Sequence, residues 1–287
     1  MSVAGAGEPL PGPARRAIQS GRDRGLFALD VGSGPAVVLL HGQPGTSADW
    51  NGVVPRLVER FRVIAPDRPG YGRSGGAASG FADNAAAVVR LLDELGIDRA
   101  LIVGHSWAGG VSLALARDHP DRVAGLVLAA SVHPSQPPGL LDRFLATPAV
   151  GGLAAAVALT GTGWLLAAPP LRRRLGGALP GPRSAALAAL MLPSPVPVWR
   201  SFAREQRALV SELGELAPAV GATTVPAAVL VGTHDRVVHP DLGRRLAADL
   251  PDGRLVELAG VGHLLPHDAP DAVAAAVAEV ATRASGR

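Results

Sequence analysis

The chain of 287 residues has no cysteine, no lysine, a single tyrosine and only 3% aromatic residues. Each absence removes a chemistry. Without cysteine there is no thiolate nucleophile, no disulfide frame and no thiolate metal site, although the compartment is left open. Without lysine there is no Schiff base, no phosphate-loop lysine and no serine–lysine dyad. Almost nothing titrates between histidine and arginine, so the charge curve is flat over several pH units. A formal net charge of only +3 therefore coexists with an isoelectric point of about 10.7, and the high value does not mark a strongly basic surface. With few aromatics and no dense basic run beyond "RRR" at 172–174, the composition argues against nucleic-acid binding. The N-terminus shows no basic segment followed by an apolar run, so no secretory signal is visible and a cytoplasmic location is expected. One uncharged stretch, "AVGGLAAAVALTGTGWLLAA" at 149–168, has the length of a membrane span.

With 48% hydrophobic residues the chain can bury one large core. Short β-rich runs at 25–31, 36–40, 61–65, 100–104, 123–130, 227–232 and 254–258 alternate with helix-like runs at 47–59, 82–95, 107–118, 240–250 and 268–282. Several of the strands are continuously apolar, as expected when both faces of a sheet are covered. In "DNAAAVVRLLDELG", Val88, Leu91, Leu92 and Leu95 share a helix face and Gly96 closes the run. Such alternation predicts a mostly parallel sheet with helices on both faces. It stops between Ser131 and Thr224, where Pro, Gly and Leu/Ala-rich helical pieces predict an insertion over one end of the sheet. The expected organisation is a flexible segment 1–20, a core of 21–130 and 225–287, and a helical cap of 131–224.

"GHSWAGG", 104–110, places Ser106 between an apolar strand and an Ala/Leu helix, with Gly104 and Ala108 two residues away on either side. A serine after a strand is ordinarily a helix N-cap. A nucleophile on a tight strand-to-helix turn instead needs small neighbours and a base elsewhere in the chain. "ELAGVGHLLPHDAP" puts His263 just after the last strand, and "VLVGTHDRVVHP" puts Asp235 just after the preceding one. Loops at the carboxyl ends of parallel strands share one rim, so the three side chains can meet. The carboxylate would fix the imidazole tautomer, and the imidazole would take the serine proton. In "LLHGQPG", Gly42 permits a sharp turn that aims the Gln43 N–H at the same spot as the Trp107 N–H, a pair suited to holding an oxyanion.

His41-Gly42-Gln43-Pro44, "PDRPGYGRS" at 66–74, the turn around Ser106, Asp235 and His263 together resemble the α/β-hydrolase family in its order Ser…Asp…His. The resemblance covers about 25–131 and 225–285. It implies a mostly parallel α/β sheet with helices on both faces and a helical cap inserted after the family's sixth strand, here the run at 123–130, the fifth of those read above. It also implies a catalytic triad of Ser106, Asp235 and His263, with an oxyanion hole at Gln43 and Trp107 supported by His41 and Gly42. The turn departs from G-x-S-x-G by one methyl, at Ala108. Dehalogenases and epoxide hydrolases of this fold share H-G-x-P and a later Trp, here Trp50, but carry Asp where this chain carries Ser106. Relatives that take the acid from the strand before the cap have a carboxylate there, and "AASVHP" has none.

The other candidates read as structural. His41 braces the oxyanion loop, His105 packs beside the turn, and His119, at a helix end, faces the last carbonyls. His234, His239 and His267 flank the acid and base loops. His263 and His267 are four apart, but Pro266 between them disfavours a helical metal pair. "GYGRSG" is separated from both strand and helix, so a plain turn is expected and no dinucleotide site. Asp67 and Arg68 are expected to pair with each other or with the serine turn. A single crossing at 149–168 would put Ser106 and Asp235 on opposite sides of a bilayer, so cap helices are expected, with docking on a membrane surface left open. The cap holds eight arginines against Asp142, Glu205, Glu212 and Glu215, read as a solvated basic face. The expected activity is serine hydrolysis of a small apolar carboxylic ester, with no metal and no organic cofactor. Hydrolysis of a carbon–carbon bond in a diketone, or ligand binding without turnover, are the alternatives.

Overall fold

Eight strands form one sheet in the order β1-β2-β4-β3-β5-β6-β7-β8. They are β1 (Arg16–Gln19), β2 (Phe27–Val31), β3 (Ala36–Leu40), β4 (Arg62–Pro66), β5 (Ala100–His105), β6 (Val123–Ala129), β7 (Ala227–Gly232) and β8 (Gly253–Leu258). The computed structural model describes residues 16–19, 25–167 and 197–286, with side chains from Gly25 to Leu159 and from Pro197 onward. β1 and β2 pair antiparallel to their neighbours, and every pairing from β4 through β8 is parallel. β1 lies inside the segment 1–20 read as flexible, and it makes the strand at 123–129 the sixth in chain order.

The continuously apolar runs occupy the middle of the sheet. β5 and β7 are buried at every residue, because helices cover both faces. Alternate residues divide between two cores: Val38, Leu40, Ile64, Ile102 and Leu128 face one side, and Val37, Leu39, Val63, Val103 and Leu230 the other. The first core is closed by α2 (Phe81–Glu94) and α3 (Ala108–Asp118). The second is closed by α1 (Val54–Leu57) and by the last helix, Pro270–Ser285. The helix expected at 47–59 is a 3₁₀ turn, Ser47–Trp50, followed by the short α1. Thr46 caps that turn through its hydroxyl, and Pro55 stands where a new helix can begin. Gly96 ends α2 at φ 63°, with Ile97 N bonded to Leu92 O at 2.9 Å and Gly96 N to Asp93 O at 3.1 Å. That pairing satisfies the last carbonyls of the helix.

Between β6 and β7 the described residues form helices and no strand: α4 (Leu140–Ala146), α5 (Val150–Ala167), α6 (Val198–Glu212) and α7 (Ala217–Ala222). The uncharged stretch of 149–168 is mostly α5. Among the described residues no single helix is long and apolar enough to cross a membrane, and the apolar pair α4 and α5 bends by 102° at its break. Of the cap arginines, Arg143, Arg200, Arg204 and Arg207 are exposed as expected, while Arg172, Arg173, Arg174 and Arg183 lie outside the described residues. Glu205 departs from the solvated-face reading: it is fully buried.

Ile102 sits at the centre of the sheet with no exposed surface. Ile102→Ala is expected to lower the unfolding free energy by about 2–5 kcal/mol, measured by urea titration, because a central strand cannot collapse into the space left.

Candidate active site

Ser106 stands where β5 gives way to α3, at φ 55°. Non-glycine residues rarely adopt this left-handed backbone, and here the surrounding structure holds it. The Ser106 N–H donates to Ala129 O on β6 at 2.9 Å, and its carbonyl accepts from Gly109 N at 2.9 Å and Val132 N at 3.2 Å. The turn brings strand and helix so close that a Cβ at Gly104 would stand 2.3 Å from Ser112 Oγ and 2.6 Å from Ala108 O. Gly104 therefore has no tolerable substitute, whereas the methyl of Ala108 is packed without exposure at the start of α3.

Asp235 follows β7, and His263 follows β8 before the short helix Leu265–Asp268. The structure brings both to Ser106. His263 Nδ1 lies 2.8 Å from Asp235 Oδ2, and His263 Nε2 lies 2.9 Å from Ser106 Oγ. A carboxylate only accepts, so Nδ1 carries the proton and Nε2 is left to accept from the serine hydroxyl. The second oxygen of Asp235 accepts from the N–H groups of Val237 at 2.8 Å and Val238 at 3.0 Å. Burial pushes the Asp235 carboxyl up, but the His263 bond and charge and these two amides outweigh it and leave it below its ordinary value.

His105 holds the base loop. Its Nε2–H donates to the His263 carbonyl at 2.9 Å, and the two rings lie 5.1 Å apart. Burial, with the neighbouring His263 second, lowers the His105 pKa to about 3. His41 braces the adjacent loop: Nδ1–H donates to Gly42 O at 2.9 Å, and Nε2 accepts from Arg68 N at 2.9 Å. Burial and then the Arg68 charge hold it well below the ordinary imidazole range. Gly42 runs against the serine turn, since a Cβ there would be 2.9 Å from His105 Nδ1 and 3.2 Å from Ser106 Cβ.

Arg68 does not pair with Asp67, but it meets the serine turn as expected, its guanidinium lying 4.7 Å over the Trp107 ring. Its Nε donates to His41 O at 2.9 Å, one terminal nitrogen donates to Gly42 O at 2.9 Å, and the guanidinium forms a buried ion pair with Glu205 of α6. Glu205 also accepts from the Tyr71 hydroxyl at 2.7 Å. Burial raises the Glu205 carboxyl against the pull of Arg68 and Tyr71. Asp67 instead ties loops together, accepting from Ser47 N at 2.7 Å and Arg73 N at 2.9 Å. Trp107 packs under the cap, stacked on Phe81 at 4.4 Å, with its indole N–H donating to Glu205 O at 3.2 Å. The Gln43 side chain donates to Phe202 O at 2.8 Å. Trp50 lies in the second core, away from solvent.

The remaining histidines stand apart from the Ser106–His263–Asp235 line, and buried His133 approaches Asp249 at 3.3 Å. His239 caps the helix Pro240–Asp249 by accepting from Asp241 N at 3.3 Å, and His267 approaches Asp49 at 3.6 Å. Among the described residues, no group of three or more His, Cys, Asp or Glu could hold a metal ion. Sequence reasoning missed the role of Glu205. The signal was present: Ser201, Glu205 and Ala208 fall at i, i+4 and i+7 of α6, so a carboxylate shares a face with two small residues that bury.

The α/β hydrolase fold family model matches residues 35–270. The haloalkane dehalogenase 2 of Mycobacterium tuberculosis H37Rv is 30% identical, over 92% of this chain and 93% of that protein. The 2-hydroxy-6-oxo-2,4-heptadienoate hydrolase of Pseudomonas putida is 44% identical over 36% of this chain and 40% of its own length. Among solved structures, a thermophilic esterase from Thermogutta terrifontis superposes with a TM-score of 0.70 at 24% identity, covering 90% of this chain and 93% of that one. The chain belongs to the α/β hydrolase fold family.

The buried His105 gives a pH prediction. Unfolded, its imidazole takes a proton near 6.5; folded, only near 3. Its contribution to stability is therefore complete above about pH 6.5 and is lost as pH falls from there toward 3. His105→Gln, which keeps a nitrogen donor and cannot titrate, is expected to flatten the decline of unfolding free energy below pH 6.5 by about 1.4 kcal/mol per pH unit, read from urea titrations at several pH values.

Proposed function

We propose that this chain is a serine hydrolase that cleaves a small carboxylic ester with an apolar acyl or alcohol part. The observation that carries the reading is the unbroken chain Asp235–His263–Ser106, with both imidazole nitrogens in hydrogen-bond reach of the right partner. In this reading Ser106 Oγ attacks the carbonyl carbon while its proton passes to His263 Nε2. Asp235 holds the ring and offsets the imidazolium charge. The N–H groups of Gln43 and Trp107 receive the oxyanion, and His41 and Gly42 support that loop. His263 then protonates the departing alcohol, and water, deprotonated by the same imidazole, releases the acid from the acyl-enzyme. The chemistry asks for no metal or organic cofactor. The core is assigned to 21–130 and 225–287 and the cap to 131–224, whose Leu, Ala, Val and Pro content supports an apolar substrate.

Resemblance to a haloalkane dehalogenase does not carry that reaction over. Displacement of a halide by a serine oxygen would leave an alkyl ether, which water does not readily cleave, whereas acyl transfer to serine leaves an ester that it does. The side-chain N–H groups of Gln43 and Trp107 are bonded to carbonyls of α6 and are not free to receive a halide. Hydrolysis of a carbon–carbon bond in a diketone is the second reading. The same three side chains would serve it, and the identity to the Pseudomonas putida hydrolase favours it.

Ser106→Ala is expected to lower turnover of nitrophenyl esters by roughly 10⁴-fold or more with the fold intact. Wild-type protein, assayed on nitrophenyl esters of increasing chain length beside a diketone and a chloroalkane, is expected to prefer the esters. Near-normal turnover by the alanine variant, or activity confined to the chloroalkane, contradicts the reading.

A further inference from the structure

Helix α6 belongs to the cap by position in the chain, yet it is bonded to the 41–44 loop, to the 66–74 turn and to Trp107 beside Ser106. Gln43 and Trp107, the two residues assigned as backbone donors, each send a side-chain N–H to an α6 carbonyl, Phe202 O at 2.8 Å and Glu205 O at 3.2 Å. These acceptors are three residues apart, one turn along a single helix. Ser201 Oγ donates to Gly70 O at 2.6 Å, tying the same face to the 66–74 turn. At the centre lies Glu205, without exposed surface and paired with Arg68, itself 1% exposed. Arg68 passes the constraint on, because its other donors hold the carbonyls of His41 and Gly42, the two residues immediately before Gln43.

A buried ion pair is a poor device for stability, since desolvation consumes most of the attraction, but it fixes geometry: neither partner can leave the other without stranding a charge. Here both carbonyls that Arg68 holds belong to the oxyanion loop. We propose that Glu205 and Arg68 are positioning residues that set the aim of the oxyanion donors by locking that loop to helix α6. The proposal rests on the reading of Ser106 as the nucleophile of an acyl transfer. Oxyanion donors act on charge that develops in the transition state, so a loop held a few tenths of an ångström out of place lowers kcat and leaves KM nearly unchanged.

The test uses the full chain and two variants. Glu205→Gln keeps size and an acceptor for Tyr71 but removes the charge that fixes Arg68. The double variant Arg68→Met with Glu205→Leu replaces the pair by apolar side chains, an exchange that commonly preserves folding. Both are expected to keep a cooperative thermal transition, to lower kcat on a nitrophenyl ester by about 10–100-fold, and to change KM less than threefold. Inhibition by a trifluoromethyl ketone, whose adduct with serine carries an oxyanion, is expected to weaken by a similar factor. Folded variants with kcat within twofold of wild type overturn the proposal. So does failure of both to fold, since the pair would then be holding the fold and not the aim of the loop. Ser106→Ala is run alongside: if it stays active, the reading of the nucleophile fails, whatever the Glu205 variants do.

Discussion

One imidazole holds the site together. His263 leaves the last strand and reaches sideways to a carboxylate on the loop after β7 and forward to a hydroxyl on the turn after β5, at 2.8 and 2.9 Å. Neither bond is local in sequence. They form because β5, β6, β7 and β8 run parallel and adjacent, so that their carboxyl ends open onto one rim. The strain at Ser106 belongs to the same constraint. A strand that ended in relaxed backbone would not lift the hydroxyl off the sheet, and the bonds that grip the turn from β6 supply what the left-handed conformation costs.

Around this line the protein arranges buried polar groups whose partners lie on neighbouring loops. His105 is kept neutral and spends its one proton on the backbone of the base loop. His41, also neutral, links its own loop to Arg68. Asp67 gathers amides from two separate turns. Such groups contribute little net stability, but each would be costly to strand, so each permits one loop geometry and penalises others. Loops alone would blur the site. Loops pinned by buried, satisfied side chains place it to within fractions of an ångström.

The framework was legible in the sequence because its signals are local. Continuous apolar runs marked β3, β5, β6 and β7, helical periodicity and Gly96 marked α2 to within a residue or so at each end, and small residues around Ser106 marked the strand-to-helix turn. The juxtaposition of Ser106, Asp235 and His263 followed from chain order and strand direction. What was not legible depends on the far side of a contact. The short first strand is invisible without its partner β2, since four residues carry no pattern. The 47–59 region lost its helix to a capped turn and a proline. Arg68 does reach the serine turn by stacking on Trp107, but its ion-pair partner could not be read, because Glu205 is 137 residues away in sequence, on a helix whose arginines face solvent. Trp107 could not be placed until α6 was placed above it.

Acyl transfer through this site requires that residue 106 become covalently acylated during turnover. Wild-type protein is mixed rapidly with a nitrophenyl ester of an apolar acid, quenched in acid at successive times, and examined by intact mass and peptide mapping. A transient gain equal to one acyl group is expected, confined to the peptide that contains Ser106. Sustained ester turnover with no acyl group on that serine at any quench time, or with the group on another residue, would contradict acyl transfer through this site.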